Sequence, residues 1–278
     1  MKSVYDILEL AEQNTLTTND QYLEQYDKSI NNNDDFWQEQ AKRIDWIKPF
    51  TRVKDVSFKK EDCHIRWFYD GSLNVSYNCI DRHLKHNAEQ TAIIWEGDNP
   101  NNDKKISYQT LHDEVCKLSN GLTQLGVKKG DRVTIYMPMI VEAAYAMLAC
   151  SRIGAIHSVV FGGFSPEALA GRIVDCQSDI VITADQSVRG GKHIDLKTNV
   201  DAALKKPGCN IVRHVVSVAR TKVNLEPKPY DIDYRELVNN QPCTFTPIEM
   251  NAEDPLFILY TSGSTGAPKG VLHTTGGY

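Results

Sequence analysis

From residue 91 onward, short apolar runs that are typical of strands alternate with longer segments that are typical of helices. The predicted strands are residues 92–95, 131–137, 156–161, 180–183 and 215–218, and the predicted helices are residues 111–125, 141–152, a segment that begins at 165, and 196–204. This alternation predicts right-handed β-α-β units, and therefore an α/β fold whose parallel sheet carries helices on both faces. In such sheets ligands bind beyond the carboxyl ends of the strands.

The composition narrows the class of protein. A chain of 278 residues is long enough for about two domains, and 41% hydrophobic residues can fill a sizeable core. The net charge of −5 gives no basic excess for nucleic acid, the N-terminus lacks an apolar signal core, and no run approaches the length of a membrane span. The seven cysteines are scattered, which disfavours a disulfide framework and favours the cytoplasm. We therefore expect neither a nucleic-acid nor a membrane partner.

The segment 1–80 lacks the alternation and predicts a separate lobe. Weak helical patterns occur around positions 4–10 and 22–26, and positions 31–35 are either a loop or a helix entry. Large aromatic residues then follow without clean periodicity: Phe36, Trp37, Trp46, Phe50, Phe58, Trp67, Phe68 and Tyr69. Such side chains can anchor an irregular lobe to a larger body. We therefore divide the chain into an N-terminal lobe, residues 1–80, and a body, residues 81–278.

A loop rich in glycine and hydroxyl residues lies near the end of the sequence. Residues 256–260 predict a buried strand, and apolar residues return at 271, so the segment is predicted to be strand, loop, strand. Backbone N–H groups of such a loop can converge on an anion, and hydroxyl groups and a lysine add donors and charge. The candidate phosphate-binding residues are Thr261, Ser262, Gly263, Ser264, Thr265, Gly266 and Lys269. The alternative is a flexible turn; a Walker A loop is excluded, because that loop opens a helix.

Two more glycine-containing loops follow predicted strands. Residues 161–165 lead into a helix that begins with Ser165 as N-cap and Pro166 at its first position, and a helix N-terminus attracts anions. Residues 188–192 place Arg189 and Lys192 on either side of two glycines, and both cations can bind phosphate. Taken alone, the first loop could equally be a tight turn and the second a solvated basic turn.

His83 and His86 lie three residues apart, on one face of a predicted helix. Two histidines at this spacing can bind a metal ion, but no third ligand of suitable type and spacing is evident. We therefore expect a solvated helix surface and predict no metal site in this chain.

The segment Tyr-Thr-Ser-Gly-Ser-Thr-Gly-Ala-Pro-Lys-Gly (260–270) resembles the signature of the acyl-adenylate-forming superfamily. Within that superfamily, four segments look very like the AMP-forming acetyl-CoA synthetases: residues 92–98, 135–139, 161–168 and 250–266. The resemblance runs from about residue 22 to residue 278 and includes the aromatic lobe. It implies that the chain is part of the large N-terminal domain of an adenylate-forming enzyme.

The resemblance also implies roles for the three loops. The loop that ends at Lys269 would hold the β- and γ-phosphates of ATP, with Lys269 as a catalytic residue. The implied coenzyme A residues are Phe161, Gly162, Gly163, Arg189, Gly190, Gly191 and Lys192. Relatives often carry arginine at the position of Lys192, so the charge is kept here and the bidentate geometry is lost. The implied substrates are acetate, ATP and coenzyme A, and the ligands of Mg²⁺ are expected outside this chain.

The resemblance covers only the front part of the family's length. We therefore expect a parent enzyme that joins acetate to coenzyme A through acetyl-AMP, and a partner that is the missing C-terminal portion of the same enzyme. This chain alone is expected to be inactive. A propionyl-CoA synthetase is an alternative, because the residues that size the acyl pocket lie beyond residue 278. A non-catalytic module that binds a nucleotide or coenzyme A is an alternative from another class.

Overall fold

The computed structural model describes residues 16–262, 266 and 268–278. The helices are α1 (Asn19–Asn31), α2 (Asn33–Gln40), α3 (Val75–Cys79), α4 (Asp81–Asn87), α5 (Tyr108–Gln124), α6 (Val141–Ile153), α7 (Pro166–Cys176), α8 (Leu196–Leu204) and α9 (Tyr234–Asn239). The strands are β1 (Lys54–Lys59), β2 (Asp62–Trp67), β3 (Ser72–Leu73), β4 (Thr91–Trp95), β5 (Lys104–Ser107), β6 (Arg132–Met137), β7 (Ile156–Phe161), β8 (Ile180–Ala184), β9 (Gln186–Arg189), β10 (Lys192–Asp195), β11 (His214–Val218), β12 (Asp231–Asp233), β13 (Met250–Asn251), β14 (Pro255–Thr261) and β15 (Lys269–Thr274). The helical pattern at residues 4–10 lies outside the described residues. None of the described helices is long and apolar enough to cross a membrane.

A seven-stranded sheet in the order β12-β11-β8-β6-β7-β14-β15 forms the centre of the body. Its neighbouring strands are parallel except for β14 and β15, which form an antiparallel hairpin. The predicted α/β class is therefore confirmed. The run at residues 92–95 is a strand, but its expected place in the parallel sheet was wrong. It pairs with β5 in a separate antiparallel sheet, because two strands joined by a short connection can pair without a crossover helix.

The central strands are buried because helices cover the sheet. Every residue of β8 is buried, as is β6 from Val133 to Met137, which is typical of parallel strands between two helical layers. Helices α5, α6 and α9 pack together, and α7 packs against α8. The predicted helix signals also hold. Ser165 caps α7 by accepting a 3.3 Å hydrogen bond from the Ala168 N–H, and Gly126 follows α5 with a φ of 90°.

The N-terminal lobe combines α1 and α2 with the hairpin β1–β2. Asn32 separates the two helices, so residues 31–35 are a helix entry. A small core contains residues from both ends of the chain: Ala41, Val53, Phe68 and Ala252, with Trp46, Phe50 and Trp67 packed against them. Strand β3 pairs with β13 beside this core. The aromatic residues therefore attach the lobe to the segment that leads into β14.

His157 is a buried titratable group inside the main sheet. It lies on β7 between β6 and β14 and is 7% exposed. Its ring centroid lies 5.5 Å from that of Phe257, and Nδ1 has no hydrogen-bond partner in the described part of the chain. Burial lowers the pKa of His157 from its ordinary value near 6.5 to about 4. The ring is therefore neutral at pH 7.

We expect this ring to make folding stability depend on pH. Because the folded-state pKa is lowered, the unfolded chain binds the proton first, and stability falls as the pH drops from about 6.5 to about 4, by roughly 3 kcal/mol in total. Urea unfolding at several pH values in this range should show that the free energy of unfolding falls less steeply with decreasing pH in His157→Phe than in the wild type. The exposed His86→Ala variant is the control and should keep the wild-type dependence. An equally steep loss in His157→Phe would contradict the assignment.

Candidate functional site

A cleft of about 410 Å³ lies beyond the carboxyl ends of β6 and β7. Its lining includes Phe161 at the end of β7, the two glycines that follow it, Gly162 and Gly163, and Arg189 of β9. This is the place where parallel sheets bind ligands. Four of the seven candidate residues for coenzyme A thus come together in one cleft, which we call the Phe161 cleft.

The two glycines shape the aromatic side of this cleft. A Cβ at Gly163 would lie 2.5 Å from the Phe161 ring, and a Cβ at Gly162 would lie 3.1 Å from the carbonyl oxygen of Met137. Only residues without a Cβ allow the ring and the loop to approach so closely. Phe161 is 55% exposed and lies edge to face with Phe164 at 5.7 Å. An exposed ring held in this way offers a surface on which a base can stack.

A buried tyrosine fixes the loop that carries these glycines. Tyr136 of β6 is fully buried, and its hydroxyl donates a 2.8 Å hydrogen bond to the carbonyl oxygen of Phe164. The Asn199 side-chain amide donates to the same hydroxyl at 3.2 Å. Burial raises the pKa of Tyr136, so the hydroxyl keeps the proton that it donates. The loop conformation is thus set by the core of the body.

The basic segment is a hairpin rather than the predicted loop. Arg189 and Lys192 form the last pair between β9 and β10. Gly190 and Gly191 have φ values of 58° and 72°, and left-handed conformations at both central positions match a two-residue type I′ turn. The correction follows from the glycines, which let the two strands reverse directly. Both cations are exposed, but Arg189 lines the Phe161 cleft whereas Lys192 lies outside its lining.

The segment after β4 closes one side of the cleft. The Trp95 indole N–H donates to the carbonyl oxygen of Met139 at 2.7 Å, and Asp98 Oδ2 accepts the Gly191 N–H at 3.1 Å. These bonds tie the segment to the end of β6 and to the tip of the hairpin. From the sequence, residues 92–98 served only as a family motif. Trp95 and Asp98 were missed as lining residues, although that motif was the available signal.

Asp185 connects the segments at the carboxyl end of β8. Its side chain is 4% exposed and lies directly after β8. The carboxylate accepts backbone N–H groups from the residues after β8 and β11: Gln186 at 2.6 Å, Arg220 at 3.0 Å, Thr221 at 3.0 Å and Val223 at 3.3 Å. The Asp185 carbonyl oxygen accepts the N–H of Leu196 at 3.1 Å. These bonds hold Arg220 in the lining of the Phe161 cleft, where no sequence motif had placed it.

The hairpin β14–β15 confirms the predicted strand, loop, strand arrangement. Thr261 and Lys269 are its last pair, and Gly266 has a left-handed φ of 89°. Ser262 and Lys269 are exposed. The candidate residues Gly263, Ser264 and Thr265 lie outside the described residues. The described members of this loop do not line the Phe161 cleft.

Arg172 of α7 connects the two regions. It is 8% exposed, and its guanidinium lies 4.5 Å from the Phe164 ring and 5.2 Å from the Tyr260 ring. Tyr260 lies on β14 just before the candidate phosphate-binding loop, and its hydroxyl donates to Asp175 at 2.7 Å. Cation–π contacts are strongest when the cation is desolvated, as it is here. The Arg172 side chain therefore packs against both the aromatic-glycine loop and β14.

The predicted histidine pair lies on α4, with the His83 ring 5.0 Å from that of Tyr108. Within residues 16–262, 266 and 268–278, no group of three His, Cys, Asp or Glu side chains could hold a metal ion. We derive no chemical step through a metal.

A cleft at the carboxyl edge of a mainly parallel sheet, with helices packed against that sheet, defines an α/β domain of the kind that binds small ligands. The chain belongs to the AMP-binding enzyme family, whose sequence model matches residues 80–278. A second family model, described as the acetyl-coenzyme A synthetase N-terminus, matches residues 22–79.

Relatives with curated names agree with the family. The chain is 62% identical over 261 residues to the acetyl-coenzyme A synthetase of Parvibaculum lavamentivorans, covering 93% of this chain and 40% of that protein. It is 60% identical over 281 residues to the acetyl-coenzyme A synthetase of Brucella anthropi, covering 100% and 43%. The chain thus spans about 40% of the length of the curated relatives that it matches. The resemblance stated from the motifs is confirmed.

A solved structure supports the fold. Acetoacetyl-CoA synthetase from Streptomyces lividans matches with a TM-score of 0.82 and 22% identity, covering 96% of this chain and 40% of that chain. At this identity the match shows the fold alone, which is the predicted fold of adenylate-forming enzymes.

The glycine pair gives a prediction about cleft shape. Gly163→Ala should rotate the Phe161 ring away from the loop, while unfolding free energy changes by less than about 1 kcal/mol because the ring is exposed. Gly171→Ala, whose new Cβ meets nothing within 4 Å in α7, is the control and should stabilise by about 1 kcal/mol. Crystal structures and urea unfolding would measure both effects. An unmoved Phe161 ring in Gly163→Ala would show that the glycine does not set its position.

Proposed function

We propose that this chain supplies the coenzyme A cleft and the ATP-phosphate loop of an AMP-forming acetate–CoA ligase. One observation carries the proposal: the end of β7 with its two glycines, Phe161, Gly162 and Gly163, and Arg189 of the hairpin β9–β10 line one cleft at the carboxyl edge of the sheet. The neighbouring hairpin β14–β15 carries the residues expected to hold ATP phosphates. Identity of about 60% to named acetyl-coenzyme A synthetases supports acetate as the acid.

The first proposed half-reaction takes place at the hairpin β14–β15. An acetate oxygen attacks the α-phosphorus of ATP, the bond from that phosphorus to the bridging oxygen breaks, and diphosphate leaves. Acetyl-AMP is the product. Lys269 and the Thr261 and Ser262 hydroxyls offer charge and donors to the departing diphosphate, a role in which positioned donors act strongly. Gly266 contributes a left-handed backbone position to the same loop.

The second proposed half-reaction uses the Phe161 cleft. The coenzyme A sulfur attacks the acetyl carbonyl carbon, AMP leaves with the electron pair of the broken C–O bond, and the thiol proton passes to solvent. Arg189 binds phosphate on the nucleotide of coenzyme A, and Phe161 lies against its adenine ring. Gly190 and Gly191 hold the turn that presents Arg189, and Lys192 adds a positive charge outside the cleft.

Three finer points belong to the same proposal. Mg²⁺ accompanies ATP, with ligands that we do not place among the described residues. The cytoplasm is the proposed location, which the free state of all seven cysteines supports.

We retain residues 1–80 as a lobe and residues 81–278 as part of the adenylate-forming body. The separate aromatic core of the lobe supports this division, although that core also contains Ala252.

Lys269→Ala tests the first half-reaction. In the enzyme expressed from the complete open reading frame that contains this chain, acetate-dependent exchange between diphosphate and ATP should fall about 10²-fold or more, because a positioned donor is lost. Lys59→Ala is the matched control, since Lys59 is an exposed lysine in the hairpin of the lobe. Unchanged exchange in Lys269→Ala would refute its role.

Arg189→Ala tests the second half-reaction. Loss of a charge-assisted contact to phosphate should raise the KM for coenzyme A about tenfold, while the exchange reaction, which needs no coenzyme A, stays near the wild-type rate. Equal damage to both measurements would indicate a folding defect and count against the assignment.

The acid is tested on the same enzyme. We expect a higher kcat/KM for acetate than for propionate, and a preference for propionate would overturn acetate as the substrate. Binding of coenzyme A without any exchange activity would favour a non-catalytic module instead.

A further inference from the structure

Arg220 lies at the junction of two clefts. It follows β11 by two residues and lines the Phe161 cleft together with Arg189. It also lines an adjoining cleft of about 1010 Å³, which shares Trp95, Asp98 and Val188 with the first. The segment after β11 and the hairpin β9–β10 therefore each contribute an arginine to the Phe161 cleft.

The backbone of Arg220 is fixed. Its N–H donates to Asp185 Oδ1 at 3.0 Å, and the Thr221 hydroxyl donates to Asp185 Oδ2 at 3.1 Å. Because the Asp185 carboxylate is buried and accepts several such bonds, the segment has little freedom to move away. The backbone that carries the Arg220 side chain is therefore held in place before a ligand binds, which lowers the conformational entropy lost on binding.

The guanidinium of Arg220 makes no ion pair with a carboxylate among the described residues, although it is half-buried. Other cations near the sheet are paired: Arg213, just before β11, binds Asp179 at 2.7 Å, and the buried Lys197 of α8 binds Asp201 at 2.6 Å. Within the described part of the chain, two unpaired arginines, Arg189 and Arg220, thus line one small cleft. An anionic group that enters this cleft therefore meets two positive charges.

We propose that Arg220 binds a phosphate group of the coenzyme A nucleotide together with Arg189, an inference that rests on the function proposed above. Guanidinium groups bind phosphate through two parallel N–H bonds, and Arg220 reaches the cleft from a different loop than Arg189. Two arginines on separate supports then enclose the phosphate, and the nucleotide is held between them and the Phe161 ring.

Kinetics of the complete enzyme test this role. Arg220→Ala should raise the KM for coenzyme A about tenfold, and Arg220→Lys should recover part of the loss because charge returns without the bidentate geometry. The exchange between diphosphate and ATP should stay at the wild-type rate, which also shows that the variants fold. Arg235→Ala is the control, since Arg235 is exposed and lines only the larger cleft.

Dephospho-coenzyme A, which lacks the 3′-phosphate, identifies the bound group. If Arg220 binds the 3′-phosphate, Arg220→Ala and the wild type should have the same KM for dephospho-coenzyme A. If Arg220 binds the diphosphate, the variant should still have the higher KM. An unchanged KM for coenzyme A in Arg220→Ala, with a raised KM in Arg189→Ala, overturns the inference and leaves the proposed function standing. Unchanged KM values in both variants overturn the proposed function as well.

Discussion

A single buried carboxylate holds the ligand edge of this domain together. Asp185 stands at the end of β8, and three segments attach to it: the start of the hairpin β9–β10, the segment 220–223 and, through its carbonyl oxygen, the start of α8. A buried carboxylate is tolerated only when its oxygens are satisfied, and here backbone N–H groups satisfy them. Those donors belong to separate segments of the chain. The hydrogen bonds to Asp185 therefore also fix the positions of the segments that carry Arg189 and Arg220.

The order of strands places the two candidate binding regions at the same edge of the sheet. β7 and β14 are parallel neighbours in the sheet, with Phe257 opposite His157, so their carboxyl ends emerge at the same edge. The aromatic-glycine loop follows β7, and the candidate phosphate-binding loop follows β14. The Arg172 guanidinium packs against the Phe164 ring of the aromatic-glycine loop and against the Tyr260 ring of β14.

Much of this arrangement could be predicted from the sequence, because periodicity and helix signals are local. The apolar runs at residues 156–161 and 180–183 are central strands, and Ser165 caps its helix as predicted. The pairing of β4 with β5 was missed because β5, Lys104–Ser107, is short and mostly polar and gives no strand signal. Arg220 was missed because its position depends on contacts between distant parts of the chain. Its place in the cleft depends on hydrogen bonds to Asp185, which lies 35 residues earlier in the chain.

The central claim is that the Phe161 cleft receives the nucleotide of coenzyme A. The most direct measurement is a crystal structure of the protein with coenzyme A bound. We predict the adenine ring against Phe161, with phosphate oxygens within hydrogen-bonding distance of the Arg189 and Arg220 guanidinium groups. Coenzyme A bound elsewhere, with this cleft free of nucleotide, would contradict the claim.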